Sequence, residues 1–266
     1  MKSRPSLSII ALLLALSGLP VASTSAGVTE RKDVEPDFDY EMATDRPDTT
    51  ESPYTTKVGK WQFEIETLSV SLDDGNRSED WGSANIKYGL SRHLDVQLVT
   101  PAWHSGDGAD GWLDTELRLK WNLTGREGDG HLRPLAIALM PYVKLPSASH
   151  DLGNGDVEGG LIIPMALTSG AFAWMIQADV IRNEDDDGYT GAFTVSATKG
   201  FELGDRLSAF VEGVATLPLE GDAQTYLNAG LVFEMNRNWF LDAGVNIGLN
   251  RSAEDIRIFT GTSFRF

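Results

Sequence analysis

Residues 256–266 read Ile-Arg-Ile-Phe-Thr-Gly-Thr-Ser-Phe-Arg-Phe. With period two, Ile256, Ile258, Thr260, Thr262, Phe264 and Phe266 share one face, and Arg257, Phe259, Gly261, Ser263 and Arg265 share the other. This is the pattern of a strand with one mostly apolar and one charged face. In a soluble domain such a strand would present unpaired backbone and an apolar surface, which is an aggregation hazard. As the closing strand of an outer-membrane β-barrel it has no free edge. Its apolar side chains then meet lipid and its polar ones the lumen.

The same alternation recurs upstream. Trp61, Phe63 and Ile65 alternate with Gln62, Glu64 and Glu66, after which the phase slips, as a bulge near Thr67 would make it. The clearest strand places Leu113, Thr115, Leu117, Leu119 and Trp121 opposite Asp114, Glu116, Arg118 and Lys120. Residues 157–167 are apolar on both faces, so their phase is ambiguous. Residues 73–80 and 104–111 are expected to be loops. The pattern predicts an all-β chain, a single antiparallel transmembrane barrel of about twelve strands, each near the ~10 residues a tilted strand needs to cross a bilayer. Short links at 91–93, 169–170, 202–205 and 236–238 alternate with longer, Gly-containing or acidic connections, and 125–133 is the exception. Short turns on one side and long loops on the other put both termini on the periplasmic side. Trp61, Trp121, Trp239 and Phe266 fall at strand ends on the short-turn side in the apolar phase, as an aromatic girdle would. Trp103 and Trp112 lie at the opposite rim, out of phase with the apolar face.

Composition agrees with this fold class and narrows the partners. The 266 residues hold no Cys, which excludes disulfides, thiolate metal sites and a Cys nucleophile. Asp and Glu number 39 against 22 Lys and Arg, a surface unsuited to nucleic acid. Lys2 and Arg4 precede an apolar run at 7–19 and the small residues Ala22 to Ala26, so residues 1–26 are expected to be a signal peptide. No later stretch reaches the ~18 apolar residues of a spanning helix. Residues 27–60 carry Pro36, Pro47 and Pro53 without periodicity and are expected to be an irregular, periplasmic or plug-like segment before a barrel over 61–266.

The phase opposite the apolar face carries both signs of charge: Lys87, Asp95, Asp114, Glu116, Arg118, Lys120, Lys144, Glu158, Asp179, Arg206, Glu212, Glu234, Asp242, Arg257 and Arg265. An Arg or Lys facing lipid at mid-bilayer would cost about 2–4 kcal/mol, so these side chains are expected to line the lumen and its solute path. They suit a selective aqueous pore, or a plugged interior of salt bridges.

The run Thr44-Asp45-Arg46-Pro47-Asp48-Thr49-Thr50-Glu51-Ser52-Pro53, with Gly59 and Gln62-Phe63-Glu64 after it, resembles the opening of outer-membrane transporters of the MetA-pathway phenol-degradation family. Lys87-Tyr88-Gly89-Leu90 and Lys144-Leu145-Pro146 are similar to later parts of it. The resemblance implies an outer-membrane barrel that admits small, often aromatic or hydrophobic, compounds. Phe266 resembles the C-terminal aromatic signature used by the barrel-assembly machinery.

The expected function is therefore an outer-membrane channel or transporter for small solutes, with lipid, the assembly machinery and a small-molecule solute as partners and no cofactor or metal. A non-transporting interaction barrel is the alternative. An outer-membrane lipase is a further one, but the four His (His93, His104, His131 and His150) lie in connections, and no Gly-x-Ser-x-Gly surrounds any Ser. The acidic loops Asp185-Asp186-Asp187-Gly188 and Asp107-Gly108-Ala109-Asp110-Gly111 lack calcium-ligand spacing.

Overall fold

The computed structural model describes residues 42–106, 108–125, 134–150, 152–167, 172–182 and 188–266. The signal-peptide expectation, the tight turn at 169–170, His131 and the acidic run 184–187 lie outside the described residues.

Alternating side chains produce alternating burial, and the chain folds as an antiparallel meander. Its strands are β1 (Trp61–Asp73), β2 (Asn76–Ser91), β3 (Leu94–Thr100), β4 (Trp103–Gly106), β5 (Ala109–Trp112), β6 (Thr115–Thr124) and β7 (Leu135–Leu145). There follow β8 (Glu158–Leu167), β9 (Phe172–Arg182), β10 (Tyr189–Glu202), β11 (Leu207–Pro218), β12 (Gln224–Asn236), β13 (Trp239–Gly248) and β14 (Ile256–Arg265). β3 and β4 are halves of one barrel strand broken at Pro101-Ala102, and β5 and β6 are halves of the next, broken at Leu113-Asp114. The barrel thus has twelve strands, as the sequence predicts. β1 pairs with both β2 and β14, so the sheet closes on itself. Every edge is then satisfied within the sheet, which hydrocarbon requires.

The closing strand keeps its expected phase. Phe259, Gly261, Ser263 and Arg265 are buried, while Ile258 is 54% exposed. Facing it, β1 carries the bulge expected at Thr67, where the register shifts between Glu66 and Leu68. Trp61, Trp121, Trp239 and Phe266 are 41–63% exposed on the outer surface, at the rim of the short turns. Trp103 and Trp112 pair across β4 and β5 at the other rim, rings edge-on at 5.2 Å. The ambiguous strand is resolved by its neighbours. Ile162 turns inward against Met140 and Met175, and Leu161 and Leu167 turn outward.

Two expected loops are strands instead. Residues 73–80 hold only a two-residue turn, Asp74-Gly75, between paired Asp73 and Asn76. Both turn residues have positive φ (47° and 83°), the geometry that makes Asp-Gly a tight hairpin whatever the acidity around it. In the second, 104–111, β4 and β5 pair as a hairpin beyond the end of β3, and His104 pairs with Asp80 at 2.7 Å. Glycine there made the stretch read as loop, and cross-strand pairing with β2 decided otherwise.

Candidate functional site: a segment threaded through the lumen

Residues 42–60 precede β1 and contain no strand, yet they are built into the barrel. The chain enters at the short-turn rim, where Gly59 N–H donates to Gly89 O (2.8 Å) and Gly89 N–H to Lys60 O (3.2 Å). A Cβ on Gly89 would overlap the carbonyl oxygens of Thr56 and Lys57, so only glycine lets the segment lie against β2 here. Gly89→Val is expected to detach this stretch at a cost of about 1–3 kcal/mol, the usual range for overpacking. Trypsin should then cut at Lys57 and Lys60 several-fold faster in an otherwise heat-modifiable barrel, and an unchanged rate would count against the contact.

Further in, Thr55 Oγ1 donates to Arg92 O (2.8 Å), Thr56 N–H to Asp95 (2.8 Å) and Asn122 Nδ2 to Pro53 O (2.7 Å). Glu51 pairs with Arg118 (2.7 Å), which also holds Glu116. The segment then folds back, with Ser52 N–H donating to Asp45 at 2.8 Å.

Asp45 is the anchor on this wall. Its carboxylate accepts Lys120 Nζ at 2.6 and 2.8 Å and also pairs with Lys87, which holds Glu64 as well. Lys87 and Lys120 are 2% and 1% exposed. Burial by itself pushes the Asp45 carboxyl up, but the Lys120 and Lys87 ammonium groups outweigh it and hold the group well below the usual carboxylate range.

The other wall has the opposite character. Arg46 donates to Asp242 (2.8 Å) and Glu66 (3.2 Å), and its guanidinium lies 5.6 Å from the Phe259 ring centroid. Gly261 leaves room for that guanidinium. Glu212, fully buried, accepts Thr49 N–H (2.9 Å), Thr50 N–H (2.7 Å), the Thr50 hydroxyl (2.6 Å) and Asn228 Nδ2 (2.8 Å). Burial and the nearby Glu212 push the Asp48 carboxyl well up. One short segment therefore touches β1, β2, β3 and β6 on one side and β10 to β14 on the other.

Among the charges expected on the lumen face, Lys87, Asp95, Arg118, Lys120, Glu212 and Asp242 contact this segment. Glu116 reaches it through Arg118, and Arg257 reaches it through Glu66. Nearer the long loops, Lys144 pairs with Glu158 (2.6 Å) and Asp114 (3.1 Å), and Asp179 accepts the Tyr142 hydroxyl (2.6 Å). Arg265 is held by Asn238 in the β12–β13 turn (2.7 Å), and Glu234 lies half-buried near the same rim. Arg206, expected on the lumen face, stands exposed in the turn between β10 and β11, because the chain reverses there before the inward phase resumes. Sequence reasoning named Gln62 and Gly89 only within the motifs that carry the family resemblance and assigned neither a contact in the lumen, while Asn122 and Asn228 had no signal beyond a polar residue in the lumen phase.

A family model described as "Putative MetA-pathway of phenol degradation" matches residues 44–266. The chain belongs to this family. The match begins at the first residue of the lumen-filling motif, so the family model includes segment and barrel together. No curated protein matches the chain. Among solved structures, the COG4313 outer membrane channel from Pseudomonas putida F1 is similar at TM-score 0.55 and 12% identity, covering 80% of this chain and 97% of that one. The NanC porin is similar at TM-score 0.54 and 7% identity, covering 77% and 98%. At these identities the likeness establishes the barrel fold of this chain and no more.

Proposed function

We propose that the chain is an outer-membrane channel for small solutes, gated by its own N-terminal segment. The observation that carries this reading is the bridge made by residues 44–56, bonded at once to Lys87 and Lys120 on one wall and to Asp242 and Glu212 on another. A barrel meant only to be solid could fill itself with side chains from its own strands, as small barrels do. Here the filling is a separate stretch of chain, joined through Lys60 to β1, and no pairing between the barrel strands depends on it. Likeness in fold to the two channels, and membership of the family, support the same reading. The girdled apolar exterior fits the outer membrane, reached through the expected signal peptide.

The test compares the full-length chain with a deletion of residues 42–58 in planar bilayers, after heat-modifiable migration has shown that both barrels are folded. The full chain should be mostly closed, and the deletion should give larger and steadier single-channel currents. Silence from both folded proteins would overturn the channel reading in favour of a barrel that acts by interaction alone.

A further inference from the structure

The segment grips the lumen through two neighbouring residues of opposite charge. Asp45 supplies a carboxylate to Lys87 and Lys120, and Arg46 supplies a guanidinium to Asp242 and Glu66. Both receiving sites are built. Lys87, Lys120 and Asp242 have side chains no more than 2% exposed, and among the described residues Lys120 donates to Asp45 alone. Glu64, paired with Lys87, and Asp95, the cross-strand neighbour of Lys120, keep the first wall close to neutral. That wall is thus suited to one carboxylate placed between two ammonium groups, rather than to anions in general.

We propose that the solute is a small zwitterion, carrying one carboxylate and one cationic group, which takes the places of Asp45 and Arg46 in the lumen. The inference rests on the channel reading above and names its substrate class. When the segment withdraws, Lys120 and Asp242 lose the partners they hold in the docked state, and leaving one member of such a pair unmatched is costly. A solute restores the lost pairing only to the extent that it carries the matching charges. Only differential interaction with the two states can shift the gate. A neutral molecule offers none, a simple anion or cation serves one wall, and a zwitterion serves both.

The chain has no Cys, so Ser52→Cys gives a unique thiol on the docked segment. Its reaction with a charged methanethiosulfonate reports release of the segment in the full-length protein. The probes are 4-guanidinobutyrate, butyrate and butylguanidine. The zwitterion should accelerate labelling at least about tenfold over either single-charge probe, the worth of one charge-assisted hydrogen bond. In a Lys120→Met or Asp242→Asn background the segment has lost a partner, so labelling should already be fast without a probe and the zwitterion's advantage should shrink towards none. Equal action by all three probes, or a single-charge probe matching the zwitterion, overturns the proposal, and this comparison in the Ser52→Cys chain needs neither wall variant. The two readings fail separately. If the segment deletion conducts but no probe alters labelling, the substrate class is wrong and the channel stands. If the deletion is silent, the channel reading falls whatever the labelling shows.

Discussion

Asp45→Ala is expected to release the N-terminal segment and leave the lumen open. The carboxylate it removes accepts both Lys87 and Lys120 and, through Ser52 N–H, pins the fold-back of the segment itself. Because the group is held well below the usual carboxylate range, it is ionised at neutral pH, and the pair lost is a full ion pair. Removing one partner of a buried pair costs about 3–5 kcal/mol, which is roughly two to three and a half orders of magnitude in the ratio of docked to released segment. The barrel strands lose no backbone bond, so the cost falls on docking. Single-channel recording should show the open probability rising from rare to dominant. Lys120→Met should act in the same direction, and the double variant should open less than the two effects summed, because both remove one interaction. An Asp45→Ala chain that folds normally and gates like the parent would show that this pair does not hold the segment.

Deleting Phe266 is expected to impair barrel formation severely. Phe266 N–H donates to Trp61 O at 3.0 Å and Trp61 N–H to Phe266 O at 3.2 Å, the last rung of the seam between β14 and β1. Its ring stacks on Phe63, 5.6 Å between centroids and nearly parallel. The other rungs of the seam, such as Phe63 opposite Phe264, remain, so closure is weakened at its rim rather than abolished. Two backbone groups left unpaired at about 1–3 kcal/mol each should lower the yield of heat-modifiable barrel in the outer membrane by more than about tenfold. A normal yield would show that the rung at Phe266 is dispensable. Phe266→Tyr retains the backbone and most of the stacking, and should assemble normally.

The barrel could be read in the chain because its cause is local. Every second side chain of a spanning strand meets hydrocarbon, so Leu117, Leu119 and Trp121 must alternate with Glu116, Arg118 and Lys120. The bulge at Thr67 was visible for the same reason, as a break in that rhythm. Reading failed where a local signal was weaker than a pairing made at a distance. Residues 104–111 look like loop because of their glycines, and the hairpin forms because β2 continues beyond its pairing with β3 and offers Ser78 to Trp81 as partners to β4. Asp74-Gly75 was a turn signal that the surrounding acidity obscured.

The site was legible only by halves. Lumen-facing charges such as Lys87, Glu212 and Asp242 followed from phase, but nothing in 44–53 has a period, and no neighbouring residue predicts where it goes. Its place depends on partners far along the chain: Arg46 meets Asp242, 196 positions away, and Thr50 meets Glu212, 162 positions away. By itself, the sequence determined a closed sheet and which face of each strand avoids water, since one bilayer imposes that choice residue by residue. Only the tertiary structure decided that the motif fills the lumen, because a carboxylate and a guanidinium find their opposite walls only once twelve strands have closed around them.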